Sequence, residues 1–302
     1  MTKTRSDDPI LRVTEWYACN ARDLPWRRPG TSPWGVLVSE FMLQQTPVGR
    51  VLPLWQEWLG RWPSASDLAA EPAGEAVRAW GRLGYPRRAL RLHACAAELV
   101  TRHAGLVPVD AAQLQSLPGV GAYTAAAVAS FAHGQRVAVL DTNVRRMLAR
   151  LFSGTGQPTT TSPGRAEQDW ATRLLPADPA SSARWSVAVM ELGALVCTSR
   201  APRCGACPVA DQCAWLARGR PSAVSPPRRQ TYAGTDRQCR GRLLAILRNS
   251  EGPVPSARLG HAWPDPDQRA RALDSLVADG LAEALAPDSF ALPGTVAHAY
   301  GG

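Results

Sequence analysis

Four cysteines are spaced Cys197-x6-Cys204-x2-Cys207-x5-Cys213. Four thiolates in one compact loop can ligate a [4Fe–4S] cluster. A four-cysteine zinc site and unligated thiols are the alternatives, although zinc ribbons usually join two Cys-x2-Cys pairs and only one is present here. Cys19, Cys95 and Cys239 lie outside the pattern and are expected to be buried thiols. Crowding of four of the seven cysteines favours metal ligation in a reducing compartment over disulfides.

Two acids are candidates for proton and charge chemistry. Glu40 is embedded in Val36-Leu37-Val38-Ser39-Glu40-Phe41-Met42-Leu43. A carboxyl group in apolar surroundings tends to keep its proton and can then act as a general acid. Asp141 follows the apolar run Val137–Leu140 and precedes a helical pattern over Asn143–Leu151. Each also has an ordinary explanation: Glu40 as an exposed helix residue, Asp141 as a helix N-cap. A third motif is Leu117-Pro118-Gly119-Val120-Gly121. Two glycines around one apolar residue let backbone come close to a ligand, and the N–H groups of the following helix suit a phosphate. A tight helix–helix turn with only a packing role is the alternative.

The elements that must carry these residues are mainly helical. Apolar residues recur at helical spacing in Trp34–Val48, Glu75–Trp80, Arg88–Thr101 and Tyr123–Phe131, separated by Pro/Gly breaks. The Pro- and Arg-rich residues 218–232 are expected to be a linker. Beyond it, Arg240–Leu247, Ser256–His261 and Asp267–Asp279 suggest three helices, and Leu281–Leu285 and Ser289–Leu292 suggest a hairpin, together a winged-helix pattern. In that pattern Gln268–Ala278 would face a DNA groove, with Arg269 and Arg271 on phosphates, though Asp267, Asp274 and Asp279 oppose this.

A net charge of +9 fits a polyanionic partner such as nucleic acid. Lys3 is the only lysine among 34 basic side chains. No apolar run is long enough to span a bilayer, and Met1–Ile10 lacks the core of a signal peptide, so a cytoplasmic, nucleoid-associated location is expected.

These motifs together resemble the helix-hairpin-helix DNA glycosylases related to endonuclease III, and within them the mismatch-adenine glycosylases of the MutY type. The resemblance covers roughly residues 12 to 217. Ser39–Thr46 is similar to the SE-x-ML-QQT segment of that branch, and Leu140–Val144 to its LD-x-NV segment. The resemblance implies a mainly α, two-lobed core with an iron–sulfur loop, to which the sequence pattern adds the small winged-helix-like carboxyl-terminal domain. It places residues 22–137 in a six-helix barrel domain with the hairpin and residues 1–21 and 138–217 in the cluster domain, while composition and pattern set the linker at 218–232 and the last domain at 233–302. The active cleft is expected between the two lobes.

It further implies that Glu40 protonates a flipped adenine and that Asp141 stabilises an oxocarbenium ion on the sugar, a division of labour known from glycoside hydrolysis. Tyr123 stands where bifunctional relatives carry a Schiff-base lysine, so a monofunctional enzyme is implied. Tyr123 and Asn143 would support the sugar and the water. Gln45 and Tyr85 would enter the base stack, the latter from a Leu83-Gly84-Tyr85 motif followed here by Pro86. Arg22, Trp26 and Arg27 match a segment near the adenine pocket. Leu117, Gly119, Val120 and Gly121 would form the phosphate-binding hairpin. Cys197, Cys204, Cys207 and Cys213 would hold the cluster, with Arg200 and Arg203 between them facing DNA. The implied partner is double-stranded DNA with adenine mispaired with 8-oxoguanine or guanine, bound by a monomer. Two other readings remain: a thymine or uracil glycosylase acting opposite guanine, and a non-catalytic DNA-binding iron–sulfur regulator. The carboxyl-terminal domain, too short for a Nudix-like fold, is expected to add modest affinity while the helical core recognises the lesion.

Overall fold

The computed structural model describes residues 8–221 and 232–295, so residues 222–231 of the expected linker lie outside the described residues. Helices dominate, in the order α1 (Pro9–Asn20), α2 (Pro33–Leu43), α3 (Val48–Arg61), α4 (Ala65–Ala69), α5 (Ala73–Ala79), α6 (Arg87–His103), α7 (Ala111–Ser116), α8 (Ala122–Phe131), α9 (Thr142–Leu148), α10 (Arg165–Arg173), α11 (Pro179–Leu195) and α12 (Ala214–Ala217). A carboxyl-terminal module follows: α13 (Asp236–Arg248), β1 (Val254–Pro255), α14 (Ser256–Gly260), α15 (Pro266–Ala278), β2 (Glu283–Leu285) and β3 (Ser289–Ala291). Among the described residues no helix is long and apolar enough to cross a membrane.

The chain divides into two compact units. The first comprises residues 1–36, 109–115 and 120–227, and the second residues 37–108, 116–119 and 228–302. In the first, Val13, Val144, Met147, Trp185, Leu192 and Val209 share one buried cluster, so α1, α9 and α11 pack around a common core. Several of its helices start on matched caps: Asp8, Asp141 and Asp178 each accept a first-turn N–H.

In the second unit, Trp58, Trp62 and Trp80 are buried, and Trp58 meets Trp62 and Trp80 edge to face with centroids 4.6 and 5.7 Å away. The carboxyl-terminal module belongs to this unit and is docked on α5. The Gly74 N–H donates to the Pro293 carbonyl at 2.7 Å, and a Cβ on Gly74 would lie 2.6 Å from that oxygen. Arg78 donates to the Arg248 carbonyl and to that of Ser250, while Arg248 reaches back to the carbonyls of Val77 and Gly81. Burial lowers the Arg248 pKa to about 10. The module's three helices and hairpin follow the expected order. Its antiparallel sheet is ordered β1-β3-β2, with Val254 opposite Phe290 and Ala284 also opposite Phe290 on the other edge. β1, too short to leave an alternating pattern, was not expected.

Two local expectations are corrected. The helix expected over Trp34–Val48 stops at Leu43, because Pro47 opens the next helix and Gln45 takes a left-handed φ of 54°. Cys19 is exposed near the end of α1, whereas Cys95 and Cys239 are buried as expected.

Candidate active site

Glu40 lies on α2 with 6% exposure, next to Ser39 and Phe41, which are fully buried. The end of this helix is held by a residue that sequence pattern did not single out. Arg88, on the first turn of α6, donates to the carbonyls of Phe41 (2.9 Å), Met42 (3.1 Å) and Gln44 (2.6 Å). Its other nitrogen reaches Thr46 Oγ1 and the Gly84 carbonyl, both at 3.0 Å. One guanidinium thus satisfies orphan carbonyls of α2 and ties the Gln44–Thr46 turn to the Gly84–Tyr85 turn. Desolvation lowers its pKa to about 10, so it is still a cation at neutral pH.

The two expected probes sit on these turns. Gln45 (φ 54°) and Tyr85 (φ 48°) both adopt left-handed backbone, which non-glycine residues rarely do, and both are exposed, Tyr85 by 47%. Gly119 of the hairpin has φ 78°, and a Cβ there would lie 2.8 Å from Arg91 Cβ and 2.9 Å from Phe41. Only glycine fits, both for its φ and for its packing against the neighbour of Glu40. Leu117 and Val120 are buried, so their side chains anchor the hairpin and leave contact to its backbone. Gly121 is exposed, has open space where a Cβ would stand, and starts α8 without a side-chain cap. The start of α8, with an exposed glycine at its N-cap and no side-chain cap, is the kind of helix end that suits an anion.

In the first unit Asp141 caps α9. Its Oδ1 accepts the Val144 N–H at 2.6 Å and its Oδ2 accepts the Asn143 amide at 2.9 Å. Burial raises the Asp141 pKa above the ordinary aspartate value, against those N–H donors and the nearby Arg146 charge. Asn143 Oδ1 accepts from Arg146 at 2.8 Å, and Arg146 also donates to the carbonyls of Gly193 (2.7 Å) and Cys197 (2.8 Å). A Cβ on Gly193 would lie 2.8 Å from the Asn143 carbonyl oxygen, so α11 can approach Asn143 only with glycine there. Tyr123 is half-buried on the first turn of α8 and packs on the small cluster that contains Val139, two residues before Asp141.

Arg22 and Arg27 are not loose pocket side chains. Arg22 grips Glu191 through two nitrogens at 2.7 Å each, and Arg27 adds a contact at 2.9 Å. Glu191 is fully buried. Desolvation would raise its pKa, but the hydrogen bonds and charges of Arg22 and Arg27 outweigh that and hold it at about 2. Trp26, between the two arginines, is buried. Glu191 left no signal in the sequence beyond a lone acid in an apolar run.

The cysteine loop turns twice, through the short helical turns Cys204–Ala206 and Ala210–Gln212. Cys197, Cys207 and Cys213 pack against the core of the first unit. Burial pushes the Cys207 thiol up to about 11, with Cys197, Cys213 and Cys204 close enough to add repulsion. Arg150, stacked on Trp215, donates to Cys197 Sγ at 3.4 Å, and the Cys213 thiol donates to the Arg150 carbonyl at 3.5 Å. Among the described residues no three His, Cys, Asp or Glu side chains are grouped to hold one metal ion. Four thiols brought near one another in one loop fit a cubane, in which each iron takes one thiolate. Arg200 is exposed, and Arg203 spends one donor on the Leu195 carbonyl.

Comparison with known proteins agrees with this geometry. Residues 38–170 match the HhH-GPD superfamily of base excision DNA repair proteins, and residues 197–213 match the iron–sulfur binding domain of endonuclease III. The chain is 54% identical over 281 residues to an adenine DNA glycosylase of Mycobacterium tuberculosis (strain CDC 1551 / Oshkosh), covering 92% of this chain and 91% of that protein. It is 52% identical over 286 residues to the adenine DNA glycosylase of Mycolicibacterium smegmatis, covering 94% and 96%. Those spans are too long to stop at residue 217, so both similarities reach into the carboxyl-terminal module. The solved structure of a thermostable thymine-DNA glycosylase superposes with a TM-score of 0.62 at 25% identity, over 69% of this chain and 95% of that one.

Proposed function

The chain belongs to the adenine DNA glycosylases of the helix-hairpin-helix superfamily, and we propose that it is a monofunctional enzyme removing adenine mispaired with 8-oxoguanine or guanine in duplex DNA. The observation that carries this reading is Glu40, a carboxyl group with 6% exposure on α2, one turn from Gln44 and Gln45.

In the proposed reaction Glu40 gives its proton to the flipped adenine. The bond from C1′ to the base then breaks and its electron pair leaves with adenine. The Asp141 carboxylate, oriented by Val144 and Asn143, stabilises the positive charge that develops on the sugar. Water adds to C1′, with Asn143 and Tyr123 beside it, and its proton returns to Glu40. Gln45 and Tyr85 fill the stack on the opposite side of the extruded base, and the Gly119–Gly121 backbone holds a DNA phosphate. Arg22 and Arg27, fixed through Glu191, and the buried Trp26 form a rigid wall for the pocket.

The chain carries a [4Fe–4S] cluster, for which Cys197, Cys204, Cys207 and Cys213 would be the ligands. When bound, it organises the loop and supplies no step of base release. DNA is the partner, bound by a monomer.

Mass spectrometry of the product from a duplex with adenine opposite 8-oxoguanine tests this. Free adenine and an intact abasic strand are expected, since Tyr123 offers no amine for a Schiff base. Trapping a covalent adduct with borohydride in high yield would contradict it.

A further inference from the structure

The helix that a winged helix usually lays in a DNA groove is not free to do so here. On α15, Gln268 bonds the Trp263 indole (2.6 Å), Asp236 (2.8 Å) and the Gly234 carbonyl (3.1 Å). Arg269 donates to the carbonyls of Gly260 (3.0 Å) and Trp263 (2.6 Å). Asp279, just beyond the helix, pairs with Arg240 at 2.5 Å and Arg87 at 3.3 Å. Arg269, which was expected to contact phosphates, thus turns its Nη1 group inward to carbonyls of the module.

The surface around α13 is different. Two adjoining cavities of about 620 and 490 Å3 share Tyr85, Pro86, Arg237 and Arg240. No carboxylate lines either one among the described residues. Several of the lining arginines are committed elsewhere: Arg88 and Arg248 to backbone carbonyls, Arg240 to Asp279. Arg82, Arg91 and Arg237 are exposed and form no salt bridge among the described residues. The Arg237 guanidinium stacks 5.1 Å from the centre of the Tyr85 ring and 5.9 Å from that of Tyr232. Stacking fixes the plane of a guanidinium while leaving its in-plane N–H fork open, which suits a phosphate. Gln45 lines the second cavity with them.

We propose that α13, through Arg237, joins Arg82 and Arg91 in a site for backbone phosphates of the duplex beside Gln45 and Tyr85. The inference rests on the reading of Gln45 and Tyr85 as the residues that enter the base stack. It gives the carboxyl-terminal module a DNA contact on its first helix rather than on α15. Because the Arg237 guanidinium also stacks on the Tyr85 ring, the module bears directly on one of the two residues read as entering the base stack. An acidic protein segment is the competing ligand class. DNA is favoured because the cationic cavity and the two left-handed probe residues are one continuous surface.

The test measures affinity of the full chain for a duplex bearing a non-cleavable 2′-fluoro adenosine opposite 8-oxoguanine, at several salt concentrations. Arg237→Ala should weaken binding roughly threefold to tenfold and reduce the slope of log affinity against log salt by about 0.9, the value for one lost phosphate contact. Arg271→Ala, an exposed cation on α15, should change neither. Arg237→Ala with affinity and slope intact, or a larger loss from Arg271→Ala, overturns the proposal. If Arg237→Ala does not fold, Arg91→Ala must show the same fall in slope, and an unchanged slope counts equally against it. A parent enzyme that releases no adenine refutes the functional reading instead, so the two failures are distinguishable.

Discussion

Glu40 and Asp141 are both carboxylic acids in buried positions, but the two units hold them in different ways. Glu40 sits within α2 between fully buried neighbours, and its helix is fastened at the far end by Arg88. Asp141 stands at the head of α9 with its oxygens engaged by the Val144 N–H and the Asn143 amide. An acid that must deliver a proton gains from apolar neighbours, which disfavour its charged form. One that must stay charged in a buried place needs donors, and Asp141 has them. On the proposed reading the first is the proton donor and the second the electrostatic stabiliser, whose N–H donors offset part of the burial that raises its pKa.

The largest expected effect breaks the first half of that contrast. Glu40→Gln should lower single-turnover adenine release by about 10²–10⁴-fold, the range for loss of a general acid, while binding to mismatched DNA persists. Excision at the parent rate would remove Glu40 from the mechanism.

Next comes the support of the other unit. Glu191→Ala leaves Arg22 and Arg27 without their shared partner, which should cost about 3–5 kcal/mol in urea unfolding at neutral pH. The sign of the pH dependence follows from the depressed pKa. This stabilisation is complete above the ordinary glutamate value of 4.5 and is lost as pH falls through about 2, so parent and variant should converge in acid. A constant gap between them down to low pH would show that the ion cluster is not its source.

Asp141→Asn should slow base release by roughly 10²-fold, as a lost electrostatic stabiliser of the transition state. Because burial raises the Asp141 pKa, the parent's base-release rate should fall on the acid side at a higher pH than an ordinary aspartate would give. An acid limb at the usual aspartate value, or none, would contradict the role. The smallest expected effect is that of Gly193→Ala. Its new Cβ pushes on Asn143, costing about 1–3 kcal/mol of stability and slowing release more than it weakens DNA binding.

The comparison also shows what sequence could and could not reveal. The iron–sulfur loop is legible because its four cysteines have a local spacing, and Glu40, Asp141 and the glycine hairpin stand out as candidates for the same reason. The winged-helix order was legible for a similar reason, since its helices and hairpin are contiguous. What fixes the site comes from far along the chain: Arg88 clasps α2 from 44 to 47 residues away, and Glu191 reaches Arg22 across 169. An arginine that caps a distant helix looks, in sequence, like any other arginine, and 33 of the 34 basic residues are arginine. Gly193 is legible only once α11 is seen against Asn143. Arg269 illustrates the same limit: helical spacing places it on a face, but only tertiary contacts show that its Nη1 group turns to Gly260 and Trp263.

The central claim is that this chain is an adenine glycosylase, although its core also superposes on a thymine-DNA glycosylase. It is tested most directly by single-turnover base release from four duplexes: adenine opposite 8-oxoguanine, adenine opposite guanine, thymine opposite guanine and uracil opposite guanine. The account predicts release of adenine from the first two and retention of thymine and uracil in the others. Release of thymine or uracil with adenine left in place would contradict it.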